Sequence, residues 1–230
     1  TVKAKELMDK GYITKVKIKR ILLNHNNYEF AENLKMVAAR DKKACYDLEC
    51  AKIQESDDRL IIINKIVSEC KQNTLVLFHN TEYGEKLLAH LEKNNPDKIF
   101  HYIDGKISNK KRTPIKAMME NTDVVNVLVA SYGTLSTGVS IDAITNVIFT
   151  QSFKKAQLII QSIGRALRLH PDKKFAYIFD LIDVFNTDSY IARYSLKFKN
   201  ILADHGDKRI KIYEDEEYPY STIEINLKDI

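Results

Sequence analysis

The 230-residue chain is poor in the residues that punctuate or cross-link a backbone, with Gly 7, Pro 4 and Cys 3. So little glycine and proline leaves no flexible linker, and neither a low-complexity segment nor an internal repeat is present. Three unevenly spaced cysteines, Cys45, Cys50 and Cys70, make neither a disulfide framework nor a zinc site. They read as reduced thiols of a cytoplasmic protein. No run approaches the roughly 18 apolar residues of a membrane span, and residues 1–10 hold no apolar signal core. The first residue is Thr1 and not Met, as in a piece of a longer protein. Neither sign of charge dominates: Lys+Arg 36 against Asp+Glu 31 leaves +5. That suits a phosphate-bearing partner without demonstrating one.

A further lack is more informative. The phosphate-cradling pattern G-x-x-x-x-G-K-[ST] occurs nowhere. Gly105-Lys106 has Phe100 where the first glycine belongs, and Ile107 where the hydroxyl belongs. Nor does any strand end carry paired acids that would hold a metal and polarise water. The chain by itself therefore holds no complete site for nucleotide hydrolysis, and no metal ligands are assigned to it.

What remains is ordinary globular composition, 44% hydrophobic and 29% charged, with enough length to bury a core. Short apolar runs over 74–79, 99–103, 124–130, 146–150 and 175–181 are filled almost continuously with Val, Ile, Leu and Phe. Strands covered on both faces look like this. Between them, 81–93, 109–121 and 155–169 read as helices, which predicts an α/β domain with a central, mostly parallel sheet covered by helices. On the flanks, 16–23 reads as a half-exposed strand, 30–54 and 57–70 as helices, and 221–227 as a final strand. Tyr190, Tyr194 and Phe198 fall at i, i+4 and i+8, the spacing of a long amphipathic helix. Its basic residues Arg193, Lys197 and Lys199 suit either a solvated face or contact with DNA.

Two segments carry candidate chemistry. On a helix, Gln161, Arg165 and Arg168 form a polar stripe opposite the apolar Ile159, Ile163, Ala166 and Leu167. Two guanidinium groups one turn apart make a fork suited to phosphate oxygens. Gly164, between Gln161 and Arg165, leaves room for a close approach. The same spacing also suits two arginines that merely solvate a helix face. The other segment, 131–140, follows a buried strand and holds Ser131, Gly133, Thr134, Ser136, Thr137, Gly138 and Ser140. Hydroxyls and open backbone N–H groups beyond a strand end cradle phosphates, and they equally make a plain turn. The strand ends at His79-Asn80-Thr81, with Thr81 as a helix N-cap, and at Tyr102-Ile-Asp-Gly105 are weaker signals.

Taken in chain order, the ends at His79-Asn80 and Tyr102–Gly105, the loop 131–140 and the helix Gln161-Ser-Ile-Gly-Arg-Ala-Leu-Arg168 resemble motifs IV, IVa, V and VI. These belong to the second RecA-like domain of superfamily 2 helicases and translocases. The resemblance covers about residues 59–183. Flanking features, among them Lys17-Ile-Lys-Arg-Ile and Asp180-Leu-Ile-Asp183, are similar to those of bacteriophage members that act on branched DNA.

The resemblance implies three segments: 1–55 leading from a first motor lobe, 56–185 as the second RecA-like domain, and 186–230 as a C-terminal helical and strand extension. It implies that ATP with Mg2+ sits between two lobes, held mainly by the P-loop and acids of the first. Arg165 and Arg168 would be arginine fingers, with Gln161 hydrogen-bonding near the same phosphate. Gly138, Ser140 and Gly164 would lie on the nucleotide side, although many relatives carry Asp where Ser140 stands. His79, Asn80, Gly105, Ser131, Tyr132 and Gly133 would face the backbone of single-stranded or branched DNA. Partners implied are that DNA and the N-terminal lobe, with no membrane. A translocase subunit of a restriction or remodelling complex, and a non-enzymatic nucleic-acid-binding module, are the alternatives.

Overall fold

The computed structural model describes residues 3–135, 141–152, 156–185 and 198–229. In chain order the elements are α1 (Ala4–Asp9), β1 (Lys15–Asn24), α2 (Tyr28–Ala38), α3 (Lys42–Glu55), α4 (Asp57–Glu69), β2 (Thr74–Phe78), α5 (Thr81–Asn94), β3 (Ile99–Ile103) and α6 (Asn109–Met119). There follow β4 (Asn126–Ser131), α7 (Tyr132–Leu135), β5 (Asn146–Phe149), α8 (Ala156–Ala166), β6 (Phe175–Val184), α9 (Ile201–Asp215) and β7 (Tyr220–Asn226). The strands form one seven-stranded sheet in the order β3-β4-β2-β5-β6-β1-β7. Every strand pairing among the described residues is parallel.

Burial explains the sequence pattern. All of β2 and β5 is buried, with helices on both faces. One face packs Leu75, Leu77 and Phe149 against Ile159 and Ile163 of α8. The other packs Val76, Phe78 and Ile148 against Leu60 and Ile63 of α4 and Leu87 of α5. β1 alternates, with Val16 and Ile18 buried and Lys17 and Lys19 exposed, as its mixed composition predicts. It lies inside the sheet, paired with β6 and β7.

The structure corrects two expectations, and a third falls mostly on residues it does not describe. The helix expected over 30–54 is two helices, because Asp41 caps α3 by accepting from the N–H groups of Lys43 (2.8 Å) and Ala44 (3.1 Å). The N-cap of α5 is Asn80, which accepts from the Tyr83 N–H at 3.0 Å, and not Thr81. Helix α9 occupies Ile201–Asp215; most of the helix expected through Tyr190 and Tyr194 lies outside the described residues.

Strand β6 pins a helix to each face of the sheet. Asp183 is fully buried and meets Arg59 Nε of α4 at 2.8 Å and His25 Nε2 at 2.9 Å. Arg59 also donates to the Tyr83 hydroxyl (2.6 Å) and to the Thr150 carbonyl. Asp180, also fully buried, meets Arg209 of α9 through Nη2 at 2.8 Å and Nε at 3.0 Å, and accepts from the Tyr213 hydroxyl at 2.9 Å. A third buried carboxylate, Glu49 of α3, accepts from the N–H groups of Ile201 and Leu202, each at 2.8 Å, and so caps α9. Close approach of helix to sheet is needed at two glycines. A Cβ on Gly84 would stand 2.6 Å from the Phe78 ring, and one on Gly206 2.7 Å from Ile182.

Two predictions follow from these contacts. Gly84→Ala and Gly206→Ala each lower stability by about 1–3 kcal/mol through overpacking. Gly164→Ala, with nothing within 4 Å of its Cβ, raises it by up to about 1 kcal/mol; urea titrations check all three. Arg59→Met leaves Asp183 buried with His25 as its remaining partner, and lowers stability by about 3–5 kcal/mol. Although burial alone would raise it, Arg59 and His25 hold the Asp183 carboxyl below its usual value. Its contribution to stability is therefore in place above about pH 3.9 and is lost as pH falls through the lower folded value. Acid titrations of the wild type against Arg59→Met read this loss.

Candidate nucleotide and nucleic-acid sites

In a parallel sheet all strands end on one rim, and the candidate residues divide between that rim and the opposite one. At the carboxyl rim β2 delivers His79 and Asn80, β3 delivers Gly105, and β4 delivers Ser131 and Tyr132. Gln151, just past β5, organises them: its Oε1 accepts from the His79 N–H at 2.6 Å and the Asn80 N–H at 3.2 Å. His79, Gly105 and Gly133 are exposed, and Ser131 is half-exposed. The Ser131 hydroxyl lies 3.2 Å from that of Thr134, which donates to the Ser131 carbonyl at 2.7 Å. Among the described residues nothing lies within 4 Å of a Cβ added at Gly105 or Gly133.

Tyr132 is a correction. It is 3% exposed, packed near Phe149, and its hydroxyl donates to the Gln151 carbonyl at 2.9 Å. Burial of its ring removes its side chain from any backbone contact and makes it a support for the rim. Gln151 itself was not singled out in the sequence. A glutamine two residues beyond a buried strand carries no periodic signal, and only the fold brings it to the His79 amide.

Helix α8 returns from this rim to the other. Its last turn abuts the start of β1: Thr14 donates from its N–H to the Leu167 carbonyl (2.7 Å) and from its hydroxyl to the Arg168 carbonyl (2.9 Å). Gln161 and Arg168 are exposed and Arg165 is half-buried. Burial, and then the like charge of Arg168, push the Arg165 guanidinium below its usual pKa. An approaching anion offsets this shift by favouring the charged form. Arg168 Nη1 meets Asp142 at 2.9 Å. That aspartate is itself held, because the Glu120 carboxylate accepts from the N–H groups of Asp142 (2.9 Å) and Ala143 (3.1 Å). Lys173, whose pKa burial lowers to about 8, donates to the Asp142 and Ile144 carbonyls. Arg168 and Asp142 are 42% and 52% exposed. An exposed pair of this kind contributes about 0–1 kcal/mol and is easily exchanged for another anion.

Gly138 and Ser140 lie outside the described residues. The chain leaves the carboxyl rim at Ser131 and is described again at Ile141 and Asp142, beside Arg168 on the amino rim. Among the described residues no group of three or more His, Cys, Asp or Glu side chains converges as a metal site, and no helix is long and apolar enough to cross a membrane. The three cysteines are free.

Comparison with known proteins places this architecture. The ATP-dependent DNA helicase uvsW of Enterobacteria phage T4 is 32% identical over 98% of the chain, which spans 44% of that relative's length. The crystal structure of T4 UvsW superposes with a TM-score of 0.71 at 29% identity, covering 94% of this chain and 42% of that one. The ATP-dependent Type ISP restriction-modification enzyme LlaBIII bound to DNA shares the fold, with a TM-score of 0.64 at 14% identity over 98% of this chain and 16% of that one. The model of the helicase conserved C-terminal domain matches residues 51–170. With more than half of its residues inside that match, the chain belongs to the helicase conserved C-terminal domain family.

Proposed function

We propose that the chain is the second RecA-like lobe of an ATP-dependent DNA helicase that works on branched DNA. In this reading residues 56–185 form the lobe, 1–55 lead into it and 186–230 complete it. Arg165 and Arg168 reach across to a nucleotide held by a P-loop lobe, with Gln161 beside the same phosphate and Gly138, Ser140 and Gly164 on the nucleotide side. His79, Asn80, Gly105, Ser131 and Gly133 grip the DNA backbone from the other rim. The observation that carries the reading is the arginine pair at the end of α8, Arg165 half-buried and Arg168 exposed, with open space among the described residues at Gly164, one residue before Arg165. A glycine in a helix costs about 1 kcal/mol against alanine. No contact among the described residues requires this one, and the room it leaves suits a neighbour outside the chain.

ATP with Mg2+ supplies the transferring phosphoryl group, whose three equatorial oxygens gather charge as it leaves. Arg165 fits that charge as a desolvated cation, and Arg168 as a cation that gives up an exposed pair with Asp142. The described residues offer no set of acids for the metal, so its ligands would come from the P-loop lobe. Similarity to a protein named as an ATP-dependent DNA helicase supports the choice of reaction and of nucleic acid. The flanking likeness to phage members supports branched DNA.

In a protein joining this lobe to its P-loop lobe, Arg165→Ala and Arg168→Ala each lower ATP turnover by about a thousandfold or more, while DNA affinity stays within about threefold, since phosphate contacts at the other rim set it. Wild-type turnover in both variants overturns the reading. The 230-residue chain alone hydrolyses no ATP, with or without DNA, in a phosphate-release assay. Its DNA affinity falls linearly in log[salt].

A further inference from the structure

Beside the carboxyl rim lies a cavity of about 350 Å³, walled by α3 on one side and by the strand ends on the other. Tyr46, Asp47, Cys50 and Gln54 of α3 face His79 and Gln151 across it. Gln151 is 4% exposed. Its Oε1 is committed to the His79 and Asn80 N–H groups, which can only donate. The other arm of the carboxamide, Nε2, makes no hydrogen bond with any described residue. The rim thus fixes the amide of a largely buried residue beside an open space.

The lining selects the ligand. Neither lysine nor arginine is among the described residues around the cavity, and Asp47 adds a negative charge. A phosphate placed there would meet no cation among the described lining residues and would face Asp47. A nucleobase is uncharged, carries donors and acceptors on its edge, and presents a flat face. Tyr46, half-exposed and 5.8 Å from the His205 ring, gives that face an aromatic neighbour. Gln151 Nε2 gives its edge a donor, and Gln54 and Asp47 give it acceptors.

We infer that this cavity receives one unstacked base of the single-stranded DNA lying on the His79–Asn80 rim. The inference rests on the nucleic-acid reading of that rim. It adds a grip on the base to the grip on the backbone, and it places α3, from the segment ahead of the lobe, in the DNA-binding surface.

The test uses the 230-residue chain and two fluorescent probes of about 12 nucleotides, an oligothymidylate and an abasic deoxyribose-phosphate strand of equal charge. The wild type binds oligothymidylate about tenfold or more tighter than the abasic strand, the worth of one stacked base. Tyr46→Leu keeps the apolar packing, reduces that preference to about twofold or less, and leaves abasic binding unchanged. Gln54→Ala, on the helix surface, moves the preference in the same direction should Tyr46→Leu fail to fold, as judged by circular dichroism. Equal affinity of the wild type for both probes overturns the base pocket and leaves the backbone rim standing. An equal loss on both probes in Tyr46→Leu also overturns it, because that is the effect of a merely structural residue. Binding to neither probe overturns the nucleic-acid reading and the pocket with it.

Discussion

Two carboxylates on one strand hold both layers of helices in place. Asp180 and Asp183 sit on β6, three residues apart, and point to opposite faces of the sheet. Each is fully buried and each meets a fully buried arginine, Arg209 of α9 on one face and Arg59 of α4 on the other. A buried charge is tolerated only when its partner is fixed, and removing one partner costs far more than the pair contributes. Geometry is therefore what these pairs contribute. Arg59 joins β6 to the Tyr83 hydroxyl of α5 and to the Thr150 carbonyl, one residue before the Gln151 that organises the His79–Asn80 rim. Arg209 also donates to the Ser152 hydroxyl at 3.2 Å, one residue after it. The rim is held from both sides by side chains buried beneath it.

The same logic explains which parts of the fold were legible in the sequence. The strands in the middle of the sheet announced themselves, because a strand covered on both faces must be apolar throughout: β2 reads Thr-Leu-Val-Leu-Phe and β5 Asn-Val-Ile-Phe. β1 read as half-exposed for a sound reason, since Lys17 and Lys19 project from a face that no helix covers there. The break between α2 and α3 was missed because the residues around it are good helix formers. The stop rests on a single side chain, Asp41, taking two backbone N–H groups. Asn80 was taken for a site residue and Thr81 for the cap. The roles were hard to part, because a cap at the end of a buried strand also stands on the rim.

The buried charges were not legible at all. Asp183 and Arg59 stand 124 positions apart, and nothing in the local pattern of either shows that the other waits for it. Tyr132 misled for a related reason. It follows a strand end in a run of small polar residues, which suggests exposure, yet the turn of α7 carries its ring inward to the Gln151 carbonyl. The arginine stripe was legible as a stripe because helical spacing alone fixes which residues share a face. Its engagement with Asp142 was not, because that contact depends on where the chain re-enters the amino rim.

That re-entry point shapes how a motor of this kind would couple its two ends. In the proposed helicase the nucleotide is felt at Arg168 and the DNA at Ser131, on opposite rims of a rigid sheet. The sheet cannot carry a movement between them, since six parallel pairings and two buried ion pairs resist sliding. The chain is described up to Leu135, just past the carboxyl rim, and again from Ile141 at the amino rim. The re-entering end is bound to the structure by Glu120 and Lys173 through backbone groups of residues 142–144, and to Arg168 through one exposed carboxylate. In the proposed motor a phosphate would compete with Asp142 for Arg168, while the Asp142 backbone stays held by Glu120 and Lys173. A phosphate that binds one arrangement of Arg168 better than the other shifts the balance between them by that difference in affinity. The weakness of the exposed pair suits it to this exchange, because a buried pair of the kind at Asp183 would hold Arg168 against any phosphate.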